Sequence, residues 1–169
     1  MLEFRTCPMD EEPAAALAAG MRDEIAAMYG GLELDGPDMP KAGPAELAPP
    51  AGTFIVGFDD GVPVCCGGVK RLPDGACEIK KMFVAPQARG RGVARVLLEE
   101  LERRARELGY EIVRLDTGPK QTRAQRMYER AGYAPIENFN ANPVATFFGE
   151  KALLSAYADT TPRHGRSRE

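Results

Sequence analysis

The stretch "KKMFVAPQARGRGVARVLLEEL", residues 80–101, constrains the fold more than any other. An apolar strand runs into a bend carrying two glycines and two arginines, and strong helix formers follow at once. Val93, Val96, Leu97, Leu101, Ala105 and Leu108 recur at helical spacing, and Gly109 stops the helix. "YEIVRLDT", residues 110–117, then reads as a strand. Strand, helix and strand in that order imply a right-handed crossover and a parallel pair.

The remaining chain supplies partners for that unit. "LEFRT" reads as a short opening strand, and "EEPAAALAAGMRDEIAAMYG" as one or two helices, broken near Gly20 and ended at Gly30 and Gly31. Prolines crowd residues 35–50, which predicts a long, semi-ordered loop. "TFIVGF" and "VPVCCGGV" flank a turn and predict a hairpin. "ACEIKKMFV" adds a third antiparallel strand. Strict alternation would put Ala76, Glu78, Lys80, Met82 and Val84 on one face, and Cys77, Ile79, Lys81 and Phe83 on the other. "KQTRAQRMYERAGY" predicts a helix with Ala124, Met127, Tyr128 and Ala131 on one stripe, closed by Gly132. "NFNANP" is a loop and "VATFFGEKALL" a last strand. The fold class is mixed α/β, with a mostly antiparallel sheet flanked by helices.

One domain over residues 1–157 is expected, followed by a polar, disordered tail over 158–169. The only histidine, His164, lies in that tail, so a His-dependent triad is excluded unless the tail returns to the body. Proton chemistry falls to Asp, Glu, Tyr, Cys, backbone or water. The four cysteines form no Cys-x-x-Cys pair and read as small buried hydrophobes, with no metal site expected. A net charge of −3 does not favour nucleic acid. No apolar run is long enough for a membrane helix and the N-terminus lacks a signal core, so a cytoplasmic location is expected.

The glycine bend separates the remaining options. A dinucleotide fingerprint fails, because Arg95 stands at its third glycine and a meander precedes it. A Walker loop fails for want of Gly-Lys-Ser/Thr. A plain turn stays open, and so does an anion cradle. In the cradle, bare N–H groups at a helix N-terminus face outward, Gly90 and Gly92 clear the approach, and Arg89 and Arg91 add positive charge.

"QARGRG" resembles the Q/R-x-x-G-x-G/A signature of the GCN5-related N-acetyltransferases (GNAT), with Gln87, Gly90 and Gly92 in the signature places. "CEIKKMFV" upstream and "AQRMYERAGY" downstream resemble the segments that flank it in that family. The resemblance covers about residues 53–153.

It implies that acetyl-CoA lies where strands 76–84 and 110–116 part. The backbone of Met82, Phe83 and Val84 would meet the pantetheine arm, with the Val84 N–H polarising the thioester carbonyl. Gln87, Arg89, Gly90, Arg91, Gly92, Val93 and Ala94 would hold the pyrophosphate, and an amine would attack the thioester directly. Tyr128, in the place of the family's tyrosine, would be the acid for the departing thiolate. Glu78 would be the base, directly or through water, its bland alternative being a pair with Lys80. Asp116, Glu137 and bulk water are the competing bases. Gln121 stands where the family often has Asn.

A small amine is the expected acceptor, and a homodimer is compatible. Glu33, Asp35, Asp38 and Glu46 make the long loop mildly acidic, which would suit a cationic acceptor. The competing reading is a non-catalytic acyl-CoA-binding or regulatory module on the same scaffold.

Overall fold

The computed structural model describes residues 1–154. The tail expected over 158–169, with His164, lies outside the described residues. In chain order the elements are β1 (Leu2–Thr6), α1 (Ala14–Met28), β2 (Thr53–Asp59), β3 (Val62–Arg71), β4 (Cys77–Val84), α2 (Val93–Glu107), β5 (Ile112–Thr117), α3 (Thr122–Arg130), β6 (Ala134–Pro135) and β7 (Phe147–Ala152). A 3-10 turn at Pro86–Ala88 joins β4 to α2.

The strands make one seven-stranded sheet in the order β1-β2-β3-β4-β5-β7-β6. Every pairing is antiparallel except β4 with β5. The mixed, mostly antiparallel sheet is therefore as the sequence implied. The two-residue β6 was not foreseen, since two residues, one of them proline, carry no alternation.

Helices cover both faces. Leu97, Leu98, Leu101 and Ala105 of α2 and Tyr128 of α3 join Ile55, Val69, Cys77, Ile79, Val113 and Leu115 in one cluster. Ala14, Leu17 and Ala18 of α1 join Phe54, Val56 and Cys66 in the other. At roughly 25 cal/mol per Å² of apolar surface removed from water, two such clusters supply the main force holding the layers together. Gly67 lets α2 come close. A Cβ there would lie 2.7 Å from a Leu101 methyl, closer than atoms approach.

Three expectations change. The first helix is not broken at Gly20 but runs unbroken through it. A Cβ at that glycine would sit 3.4 Å from the Phe83 ring, an ordinary contact distance, so the helix lies directly against the strand there. The proline-rich segment is packed rather than loose, because Ala42 and Leu47 are buried in the α1 cluster. And alternation fails in β4. Cys66 faces Phe83 and Gly68 faces Lys80, so Lys81 and Met82 together oppose Gly67. This is a β-bulge, with Lys81 at φ +60°. The extra residue resets the faces, and Cys77, Ile79, Met82 and Val84 all join the α2 cluster while Phe83 packs towards α1.

Candidate active site

β4 and β5 pair only at Cys77–Val113 and Glu78–Arg114. Beyond those positions the strands part, and the sheet opens into a V between residues 79–84 and 115–117. The Ala85 N–H donates to the Val64 carbonyl on the β3 side. By strand alternation the Val84 N–H points the opposite way, into the opening. The Val84 carbonyl is already taken by Arg89 Nε at 3.0 Å.

At the C-terminal end of β4 the chain turns through Gly90 (φ +79°) and Gly92 (φ +75°), and Gly92 caps α2 in the left-handed conformation. Space around both glycines is open. The positive φ excludes most side chains there, and the absence of a Cβ leaves the main chain uncovered. Among the described residues, no backbone or side-chain group accepts from the amides of Gly90 through Arg95. Donors left free at a helix N-terminus, with the helix dipole behind them, form a site for an anion.

The predicted arginines behave differently from the amides. Arg89 reaches Glu24 at 2.6 Å and lies 5.6 Å over the Phe83 ring. Arg91 reaches Asp59 at 3.2 Å. Both are paired with carboxylates, whereas the backbone amides of the turn have no partner. Gln87 is exposed on the 3-10 turn, Val93 is buried as the first residue of α2, and Ala94 is half-buried beside it.

The other end of the V is a cavity of about 110 Å³. Met82 and Lys81 of β4, Asp116 and Thr117 of β5, and Tyr128 of α3 line it, with Tyr29 and Gln121 at its rim. Tyr128 Oη contacts the Met82 sulfur at 3.8 Å. Burial first, and the negative charge of Asp116 second, hold the Tyr128 phenol well above its usual range, so it keeps its proton at neutral pH. Gln121 Oε1 accepts from the Gly118 N–H and from Tyr29 Oη, each at 3.2 Å. That side chain pins the turn after β5 to the end of α1.

Glu78 and Asp116 share a polar cluster. Asn140 Nδ2 donates to Glu78 Oε2 and to Asp116 Oδ2, each at 2.7 Å. Asn142 Nδ2 donates to Asp116 Oδ2 at 3.0 Å. Lys80 Nζ lies 3.7 Å from Glu78 and 3.6 Å from Asp116. Glu78 is fully buried and its Oε1 has no hydrogen-bond partner. Burial raises its carboxyl above the ordinary range, the Lys80 ammonium pulling the other way and Asp116 adding to the rise. Asp116 lines the cavity; Glu78 stands behind it, outside the lining.

The structure thus brings Tyr128, Met82 and the parted strand to one place, and sets Glu78 one layer back. Sequence reasoning missed Asn140 and Asn142. The Asn138, Asn140, Asn142 spacing in "NFNANP" was the available signal, since such residues often fold a loop around their own side chains. Here Asn142 Oδ1 accepts from the N–H groups of Val144 and Ala145 at 2.9 and 3.2 Å. Glu137, a candidate base, is exposed in a separate groove with Arg114 and Phe139 and does not line the cavity.

A family model described as the acetyltransferase (GNAT) family matches residues 10–133, and the chain belongs to that family. Among curated relatives, the IAA acetyltransferase of Azospirillum brasilense is 36% identical over 111 residues, which is 63% of this chain and 72% of that protein. An uncharacterized N-acetyltransferase of Schizosaccharomyces pombe is 32% identical over 101 residues, which is 59% of this chain and 62% of that protein. Among solved structures, an acetyltransferase of the GNAT family from Staphylococcus aureus has TM-score 0.72 at 18% identity, covering 91% of this chain and all of the other. A GNAT family acetyltransferase of Elizabethkingia anophelis, solved with acetyl-CoA bound, has TM-score 0.62 at 14% identity over 90% of this chain and 98% of its own. The chain is a GNAT-type N-acetyltransferase, and one of the proteins that share its fold binds acetyl-CoA. Among the described residues, no helix is long and apolar enough to cross a membrane.

Proposed function

We propose that the chain moves the acetyl group of acetyl-CoA to a primary amine on a small molecule, by direct attack in a ternary complex. The observation that supports this best is the parted β4–β5 pair. It joins the uncovered amides of residues 90–95 to a cavity holding a protonated phenol and a carboxylate.

The amides of Gly90 to Ala94 would bind the pyrophosphate. Met82, Phe83 and Val84 would run beside the pantetheine arm. The Val84 N–H, pointing into the opening, would hydrogen-bond the thioester oxygen as charge develops on it. The amine nitrogen then attacks the carbonyl carbon, the C–N bond forms and the C–S bond breaks. The proton lost by the amine goes to Asp116, the carboxylate at the cavity wall, with Glu78 behind it and coupled to it through Asn140 and Lys80. The thiolate takes a proton from Tyr128. Overall an ammonium and a thioester become an amide, a thiol and one released proton.

The cysteines favour direct transfer over an acyl-enzyme. No cysteine lines the cavity, and burial pushes the thiols of Cys65, Cys66 and Cys77 up to about 11, 12 and 12, so none of these three offers a thiolate nucleophile at neutral pH. The cavity volume suits a small acceptor. The test is thiol release from acetyl-CoA across a panel of small amines and lysine peptides. Release with small amines supports the reading. Acetyl-CoA binding without release for any amine would overturn it in favour of a non-catalytic module.

A further inference from the structure

We infer that the acceptor is an amino acid with an apolar side chain, its carboxylate seated on Lys81 and its amine beside Asp116. This rests on the function proposed above and names the substrate class for the same cavity.

The bulge is the first reason. A lysine at φ +60° is uncommon, because the Cβ crowds the backbone there, and such strain persists where the surroundings fix it. Its effect is to bring Lys81 out of the sheet's alternation and into the cavity wall. The Lys81 side chain is only 5% exposed. An ammonium taken out of water needs an anion close by. Among the described residues, the only carboxylate within salt-bridge distance is Asp35, at 3.1 Å.

Asp35 is a weak permanent partner. It belongs to the segment between α1 and β2, its side chain is half exposed, and it is shared with Arg22 at 3.5 Å. Without a ligand it neutralises Lys81. A substrate carboxylate entering the cavity can take its place at no loss of charge pairing. Burial lowers the Lys81 pKa while Asp35 raises it, so the ammonium depends on whichever anion is there.

The charged groups facing Lys81 are Arg22 of α1, Asp35 of the loop, Lys80 beside it on β4, and Asp116 across the opening on β5. Lys80 is already balanced by Glu78 and Asp116. The cavity therefore has a positive pole at Lys81 and a negative one at Asp116. The lining also carries apolar side chains, Met21, Ile25, Leu32, Leu34, Met39 and Val144, beside the polar Tyr29, Thr117 and Gln121. A polyamine would place cationic ends against the lysines. The acidic loop read from the sequence gives it little help, since Asp35 is engaged by Lys81 and Glu46 by Lys41 and the Gly43 amide. A zwitterion with an apolar body matches all three features. The group transfer is the one written above, with the same bonds made and broken.

The test compares leucine and phenylalanine with isoamylamine and phenethylamine, which lack only the carboxylate, in thiol release by the full chain. The expected result is a kcat/KM at least about tenfold higher for the amino acids, as fits the loss of a charged hydrogen bond. Lys81→Gln should abolish that preference through KM, and Lys81→Arg should restore part of it. Because Lys81→Gln could fail to fold, a second measurement uses the wild-type chain. 4-Methylpentanoate, leucine without its amine, should inhibit transfer to isoamylamine competitively. Equal use of amines and amino acids, or no inhibition by the acid, overturns this inference and leaves the function above standing. No transfer to any amine overturns both.

Discussion

The two ends of the V are built from different materials. The end proposed for the coenzyme is made almost wholly of main chain: a left-handed glycine pair, the first amides of α2, and a strand edge exposed where β5 turns away. The end proposed for the acceptor is made of side chains from α1, the loop after it, β4, β5, α3 and the loop before β7. A backbone site needs only the right conformation, and a few glycines can specify that. A side-chain site needs six segments to arrive together, and no short pattern specifies that.

Substitutions at the two ends should therefore fail in different ways. The largest effect is expected for Gly90→Val with Gly92→Val. Each left-handed β-branched residue costs about 1–2 kcal/mol or more and covers the donors as well. Calorimetry should show acetyl-CoA affinity reduced by at least about 100-fold. Unchanged affinity would mean the bare amides do not hold the coenzyme.

At the acceptor end, Asp116→Asn should lower kcat about 100-fold while acetyl-CoA still binds, the usual size of a lost general base. A near-normal rate would pass the proton to water and blur the contrast. Tyr128→Phe should lower turnover by about tenfold, again with the coenzyme affinity kept. A matching drop in affinity would place the phenol on the coenzyme side of the divide.

The smallest effect concerns Glu78. Its carboxyl is raised in the folded state above the ordinary 4.5. The folded chain therefore binds this proton more tightly than the unfolded one. The associated stability is complete below about 4.5 and is lost as pH rises through the folded value. Thermal melts taken from there to about pH 8 should show Glu78→Gln with a shallower decline than the wild type. Identical slopes would remove Glu78 from the linkage.

What could be read beforehand follows the same divide. The β4–turn–α2–β5 unit and the Tyr128 helix announce themselves by local periodicity and glycine placement, and both stand where expected. The bulge does not, because its left-handed residue is a lysine, and period-two reading carries straight through it. Asp116 could be named as a competing base, but its clamp from Asn140 and Asn142 spans 24 and 26 residues, which only the fold closes. Gly20 shows the reverse error. A helix-breaking residue in the local rule is here a contact surface for Phe83.

The two-against-one pairing at Gly67 also makes β4 a strand whose length matters as much as its spelling. Removing Lys81 alone would let the ladder run regularly, with Met82 opposite Gly67, and Cys77, Ile79, Met82 and Val84 would all keep facing α2. The Val84 N–H would keep its direction too, because its pairing with Cys65 is unchanged. Such a shortened chain would keep its core and its gap, and would forfeit only the cation that the extra residue delivers to the cavity wall.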